Sequence, residues 1–295
     1  MVLGIDIGGT AIKAGLVNAN GNIAAKLQIE VTELRIGNFI TNFTNWLKPV
    51  INENGITAVG VGVPGMVSAN SDFISVAPNI PEIEGGNFIK ALQKSFPWVT
   101  FRFANDANAA ACGTYLFCNE KKLQTFGYIT LGTGIGSAVI LNGKLYTGQN
   151  GNGPELGMLQ VFGDKIVEDV CARDGILRIA SEIYGQKSNE STLGGLSTFD
   201  IYNAAQTGDS RAIEVFNQAG ILLGESLCLF IQLFDISTIY IGGGIAPAYE
   251  FMEKSVNEVI HARLSAYYFD NLSIKPTSLG NDAGILGAAA LIDTI

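Results

Sequence analysis

Apolar residues along this chain fall into short runs set off by glycine, and later into longer stretches with helical spacing. Val2–Asp6 is the first run, and Ala11–Val17 follows after a glycine break. Asn20–Gly21 predicts a tight turn into Ile23–Ile29, so the chain is expected to open on three antiparallel strands. From Glu33 to Ile51 the spacing of Leu34, Phe39, Ile40, Phe43 and Leu47 predicts a helix. Thr57–Val63 reads as a buried strand, Asn87–Phe96 as a helix and Val99–Phe103 as a further strand. The expected order is β-β-β-α-β-α-β.

The same grammar starts again near Phe126. Phe126–Leu131 reads as a strand, Gly132–Gly136 as a glycine turn and Ser137–Leu141 as a second strand; Asn142–Gly143 then turns the chain into Lys144–Tyr146. An internal repeat of this kind points to two copies of one structural unit. Helices are expected at Ala107–Phe117, Val167–Tyr184, Arg211–Phe234, Tyr249–Leu264 and Ala283–Ile292, with a strand at Thr238–Ile241. No Pro/Ser-rich linker separates the halves.

Composition narrows the class. At 295 residues the chain has room for two domains or one large one at about 100–200 residues each. A hydrophobic content of 47% excludes a disordered chain. The net charge of −9 argues against nucleic acid or an anionic membrane as the main partner, because both reward clustered Lys and Arg. The richest apolar stretch, Ala219–Phe234, is interrupted by Glu225, Ser226 and Gln232 and reads as a buried helix, not a membrane span. Met1–Val2–Leu3 lacks the basic start of a secretory signal, so a cytoplasmic location is expected. Cys112, Cys118, Cys171 and Cys228 show no CxxC spacing and read as reduced core residues.

Glycine turns matter because backbone without Cβ can approach a phosphate and aim N–H groups at it. Gly60–Gly65 formally matches GxGxxG after a strand, but Met66–Asp72 looks like loop or strand where a dinucleotide fold needs a helix. No GxxxxGK[ST] occurs, which excludes a P-loop. Asp6-Ile7-Gly8-Gly9-Thr10 puts a carboxylate at the end of a strand, two glycines in the turn and a hydroxyl beyond, with Lys13 following. Leu131–Gly136 repeats that turn, and Ile241-Gly242-Gly243-Gly244-Ile245 adds a third between a strand and a helix. Asn105-Asp106 lies at a strand-to-helix corner, where either residue can serve as a helix cap or present its side chain to a ligand.

Taken together, Gly4–Thr10 with Lys13, Val63-Pro64-Gly65, Pro78-Asn79, Asn105–Ala110, Leu131–Gly136, Gly148–Gly157 and Gly242–Gly244 resemble the ROK family of sugar kinases and repressors, over essentially the whole chain. The resemblance implies an α/β, two-lobed actin/hexokinase-like (ribonuclease-H-like) fold with duplicated β-β-β-α-β-α-β lobes. The small lobe would comprise residues 1–110 plus 281–295 and the large lobe 111–280, with nucleotide and sugar bound between them. It implies that Asp6, Gly8, Gly9, Thr10, Lys13, Gly132, Thr133, Gly134 and Gly243 bind ATP, with Asp6 positioning Mg²⁺. It makes Asp106 the catalytic base, and Gly65, Asn79, Asn105, Asp106, Glu155 and Glu168 the sugar site. The activity implied is ATP-dependent phosphorylation of a hexose 6-hydroxyl, glucokinase-like, in a homodimer.

Departures from the family pattern refine this. Many members carry His after Glu-x-Gly and then CxCGxxGC, which bind a structural zinc. Here Met158 takes the place of that His, residues 161–170 contain no cysteine, and the single histidine, His261, lies in a distant helical stretch. No zinc is expected. Losing an imidazole near the anomeric end of the sugar opens the alternative of a β-glucoside kinase; an N-acetylhexosamine kinase is a further alternative. The family's repressors carry a basic DNA-binding domain ahead of the first phosphate motif, which here begins at Gly4, so a repressor is not expected; the retained Asp6, Asp106 and both phosphate turns argue against a non-catalytic sugar sensor.

Overall fold

The computed structural model describes residues 1–118, 122–185 and 196–294. Its contacts gather the chain into two compact units. Unit 1 is Met1–Thr125, Ala138–Pro154 and Thr277–Ile295; unit 2 is Phe126–Ser137 and Glu155–Pro276.

The chain opens with β1 (Val2–Ile7), β2 (Ala11–Val17) and β3 (Ile23–Glu30), followed by helices α1 (Val31–Leu34) and α2 (Phe39–Glu53). Next come β4 (Ala58–Val63), the short hairpin β5 (Met66–Val67) and β6 (Ile74–Val76), α3 (Asn87–Ser95), β7 (Thr100–Asn105) and α4 (Asp106–Gly113). The second series begins with β8 (Phe126–Leu131), β9 (Ile135–Leu141) and β10 (Lys144–Tyr146). It continues through β11 (Gln160–Phe162), β12 (Lys165–Ile166), α5 (Val167–Cys171), α6 (Arg173–Tyr184), α7 (Thr198–Gln206) and α8 (Ser210–Phe234). The last elements are β13 (Thr238–Gly242), α9 (Tyr249–Arg263), α10 (Ala266–Phe269), β14 (Ser273–Pro276) and α11 (Ala283–Thr294).

The two large sheets have one topology. The first runs β3-β2-β1-β4-β7 and the second β10-β9-β8-β13-β14, each with five strands. In the first, β1 pairs antiparallel with β2 and parallel with β4, and β4 pairs parallel with β7. The repeat extends to lengths: β1 and β8 have 6 residues, β2 and β9 have 7, and three turn residues separate each pair.

In unit 1, β1 and β4 are apolar on both faces, as strands covered on two sides require; Leu3, Ile5, Val59 and Val61 are fully buried. One cover is the alanine-rich α11. A Cβ on Gly4 would lie 2.9 Å from the Ala289 nitrogen, so the helix approaches the sheet as closely as backbone allows. That approach brings the start of α11 to the end of β1. In unit 2, α8 is the one helix among the described residues long and apolar enough to cross a membrane. It buries a face that includes Phe216, Leu223, Leu227 and Ile231 instead, as a core helix does.

Several expected helices are interrupted. The helix foreseen over Glu33–Ile51 is two, because Gly37 takes a left-handed φ of 92° and the Asn38 side chain caps α2 by accepting from the Thr41 N–H. The helix foreseen over Val167–Tyr184 breaks at Ala172, whose backbone is extended. The one foreseen from Ala107 starts at Asp106 and passes at Thr114 into a π-helical turn. Helix α7 and strand β14 were not foreseen. Ser197 and Asp200 form a capping box at the start of α7, and that S-x-x-D pattern was the available signal.

Candidate functional site

In unit 1 the chemistry collects where β1 gives way to the Gly8–Thr10 turn. Asp6 stands opposite Lys13 across the β1–β2 ladder, and opposed residues of an antiparallel pair share a face. Burial, and after it the negative charge of Asp106, push the Asp6 carboxyl above its ordinary pKa, against the lowering pull of Lys13. The start of α11 closes this corner: a Cβ on Gly284 would fall on the Asp6 carboxylate.

Asp106 reaches the same corner from β7. Asn105, the last residue of that strand, caps α4 by accepting the Asn108 N–H at 2.7 Å. Asp106 is then the first helical residue, and its Oδ1 accepts the Ala107 N–H at 2.8 Å. Its surface is open to solvent, yet protein atoms crowd it; a carboxylate set in a recess satisfies both. The crowding raises its pKa, and the hydrogen bond from Ala107 opposes the rise. The result is a carboxylate that a substrate can reach and that holds a proton more readily than a free one.

Within the turn, the Gly8 N–H is committed to the Ala11 carbonyl at 3.1 Å and closes the loop, leaving Gly9 and Thr10 exposed at the tip. Asn79 packs against that tip; a Cβ on Gly9 would lie 2.9 Å from its Cβ. The Asn79 carbonyl accepts from Arg35 Nη2 at 3.2 Å, and Arg35 also grips Glu82 through Nε at 2.6 Å. Gly65 lies against the Val76 carbonyl, where no side chain would fit. Farther along, the 148–153 glycine stretch docks on the β5–β6 hairpin, with Asn152 Oδ1 accepting the Val67 N–H at 2.9 Å.

Unit 2 builds its own corner around Gly132–Gly136. Gly132 N–H closes the turn onto the Gly134 carbonyl at 3.1 Å, and Thr133 stands exposed at the tip. Glu168, in the first turn of α5, accepts the Ile135 N–H on Oε2 at 2.9 Å, and a Cβ on Gly134 would collide with this carboxylate. The Glu155 loop is bolted to the strand behind: Ser137 Oγ accepts the Leu156 N–H at 2.8 Å, and Gly157 lies against the Ile135 carbonyl. Met158 follows, 50% exposed. Gly243, at φ 88°, sits against the Leu131 carbonyl, which also accepts the Ile245 N–H at 2.9 Å. Beside it opens a cavity of 130 Å³ lined by Thr198, Phe199, Tyr202, Ile245, Pro247 and Ala248.

Unit 1 thus draws Asp6, Lys13 and Asp106 into one electrostatic cluster and sets Asn79 against Gly9. Unit 2 joins Glu168 to Gly134 and Glu155 to the strand after the turn. Sequence reasoning missed Arg35, Gly284, Phe199 and Tyr202; the first two act through partners remote in sequence, and the last two lie on α7. Among the described residues no group of three or more His, Cys, Asp or Glu side chains gathers as a metal centre would require. The four cysteines are free thiols; burial pushes Cys112 and Cys171 up to about 12, which leaves them inert as nucleophiles, and Cys118 is only half-buried. His261 is exposed on α9, its ring 4.4 Å from that of Phe269.

Compared with known proteins, residues 2–295 match the model of the ROK family. The chain is 28% identical to a glucokinase of Halalkalibacterium halodurans over 98% of this chain and 94% of that one. Its structure is similar to that of a candidate sugar kinase of Cytophaga hutchinsonii, 34% identical, with a TM-score of 0.90 and 99% of each chain covered. It is also similar to a ROK family glucokinase of Streptomyces griseus in complex with glucose and AMPPNP, 25% identical, with a TM-score of 0.78 and 98% of each chain covered. At 26% identity the chain also matches an N-acetylmannosamine kinase of Escherichia coli, over 98% of this chain and 97% of that one. An N-acetylglucosamine repressor of the same species matches at 26% over 87% of this chain and 64% of the repressor. The duplicated sheets and these neighbours make the fold actin/hexokinase-like.

Proposed function

This chain belongs to the ROK family, and from that premise we propose that it is an ATP-dependent sugar kinase, glucokinase-like, that phosphorylates the 6-hydroxyl of a hexose. The observation that carries the reading is the corner of unit 1, where an exposed carboxylate of raised pKa, Asp106, lies close enough to Asp6 to raise that group too, next to a glycine turn. Phosphoryl transfer asks a protein mainly for positioning and charge stabilisation. Asp106 takes the proton of the sugar hydroxyl; the hydroxyl oxygen bonds to the γ-phosphorus as the bond to the bridging oxygen breaks, and ADP leaves with that electron pair. A base whose pKa is raised toward neutral is better matched to this task than an ordinary carboxylate.

The remaining residues divide the substrates. Gly9 and Thr10 in unit 1, and Thr133 and Gly134 in unit 2, offer backbone to the phosphates, while Gly8 and Gly132 hold the turns closed. Lys13 adds positive charge beside Asp6. The cavity lined by Phe199, Tyr202 and Pro247 next to Gly243 takes the adenine. Asn79, Asn105, Glu155 and Glu168 take sugar hydroxyls, each carboxylate accepting from vicinal pairs, and Gly65 shapes the loop beside them. Carboxylate oxygens suit Mg²⁺, and the mutual repulsion of Asp6 and Asp106 is what a cation relieves. Asp6 would hold the ion, which supplies charge neutralisation at the phosphates.

A second reading concerns the sugar. Met158 is half-exposed directly after the Glu155 loop, at the position where many family members have His, and a thioether there favours a substituted sugar such as a β-glucoside or an N-acetylhexosamine. An ADP-release assay over glucose, mannose, N-acetylmannosamine, N-acetylglucosamine and methyl β-glucoside separates these. Turnover with glucose foremost supports the main reading, and a preference for a substituted sugar supports the second. Sugars that bind without turnover would replace both with a sensor.

A further inference from the structure

Glu168 has an attachment that sugar binding does not require. Its Oε2 accepts the buried Ile135 N–H at 2.9 Å, and the carboxylate fills the space against Gly134 where any side chain would collide with it. Gly132 N–H is committed inside the turn. The Glu168 contact is thus made at Gly134 and Ile135, where the turn enters β9, while Thr133 at the tip stays exposed. We propose that Glu168 is a positioning residue for the nucleotide: it props the Gly132–Gly136 turn in its phosphate-receiving shape, and its other oxygen ties that shape to the sugar. This rests on the sugar and phosphate roles given above to Glu168 and the turn.

The physical argument is one of preorganisation. A glycine-rich turn has more backbone freedom than any other, and ordering it on nucleotide binding opposes affinity. A carboxylate accepting a backbone N–H is a charge-assisted bond, and it removes part of that freedom before the nucleotide arrives. A hydroxyl of the sugar on Oε1 restricts the Glu168 side chain further, so sugar and nucleotide should each raise the affinity for the other by the same factor.

The test is calorimetric titration of AMPPNP·Mg²⁺ into the full chain with and without the sugar that gives best turnover, for the wild type, E168Q and E168A. An amide oxygen can still accept the Ile135 N–H, whereas alanine cannot. Without sugar, E168A should bind AMPPNP about 3- to 10-fold more weakly than the wild type, the loss expected of one hydrogen bond. E168Q should keep most of the nucleotide affinity while losing sugar affinity. Sugar should raise AMPPNP affinity several-fold in the wild type and not in E168A. If E168A does not fold, E168D, too short to reach Ile135, takes its place with the same expectation. Sugar-free AMPPNP affinity equal in wild type and E168A would overturn the proposal and leave Glu168 as a sugar ligand only. A wild type that binds neither sugar nor AMPPNP would instead defeat the kinase reading itself.

Discussion

The Gly8–Thr10 turn of unit 1 and the Gly132–Gly134 turn of unit 2 occupy the same place in two sheets of the same order, between strands of the same lengths. Equivalent positions can therefore be compared one to one. Asp6 of β1 corresponds to Thr130 of β8, and Lys13 of β2 to Ser137 of β9. In unit 1 these positions carry opposite charges facing each other. In unit 2 they carry hydroxyls, and each accepts a backbone N–H: Thr130 from Gly136 at 2.8 Å and Ser137 from Leu156 at 2.8 Å. One copy of the motif has been turned to electrostatics and the other to holding loops in place. The carboxylate that unit 2 lacks on its strand arrives from α5, as Glu168.

The largest effect should come from the charged copy. D106N is expected to lower kcat by about 10²–10⁴-fold, the usual contribution of a positioned base, with sugar affinity changed by less than about threefold. It should also stabilise the fold at neutral pH. Above the ordinary carboxyl value of 3.8 and up to the raised folded value, the native state holds more protons than the unfolded chain, so stability falls as pH rises through that window. Thermal unfolding of the wild type and D106N between pH 4 and 8 tests this; a variant less stable than the wild type at pH 7 would contradict the raised pKa.

The next effect contrasts the equivalent positions directly. D6N should lower kcat/KM by roughly 10²-fold through lost transition-state electrostatics while leaving stability unharmed. T130A should do the reverse, costing about 1–3 kcal/mol of stability by leaving the Gly136 N–H unpaired, with activity per folded molecule changed only a few-fold. Urea unfolding and steady-state kinetics on both variants decide it. If T130A loses as much activity as D6N, the division of labour between the copies is wrong. The smallest effect is expected at Arg35, which reaches the unit 1 turn only through Asn79. R35A should raise KM for the sugar about 2- to 5-fold at nearly constant kcat. Its stability loss should be small, because the Arg35–Glu82 pair is partly exposed. A fall in kcat with KM unmoved would remove Arg35 from the substrate side.

The legible parts of the sequence were those with local causes. Glycine breaks between apolar runs announced β1, β2, β8 and β9, and Asn105-Asp106 announced a strand-to-helix corner, because backbone geometry at those points depends on residues a few positions apart. Helix interruptions were legible in principle, from Gly37 followed by Asn38, but the hydrophobic spacing across them masked the break. The prop that Glu168 gives the Ile135 N–H carried no such mark, since 33 residues separate the partners. Gly284 against Asp6 and Arg35 against Asn79 were hidden for the same reason.

By itself, then, the sequence determined the duplicated three-strand opening, the turns that interrupt it and the residue types available at each corner, all of which follow from periodicity and backbone conformation. Only the tertiary structure decided which of those groups act on one another. Burial and then Asp106 raise Asp6, α11 closes over that carboxylate, and Glu168 lies against the second turn because sheet and helix packing brings distant segments within a few ångströms. Burial and charge exert their influence over that range and no farther along the chain.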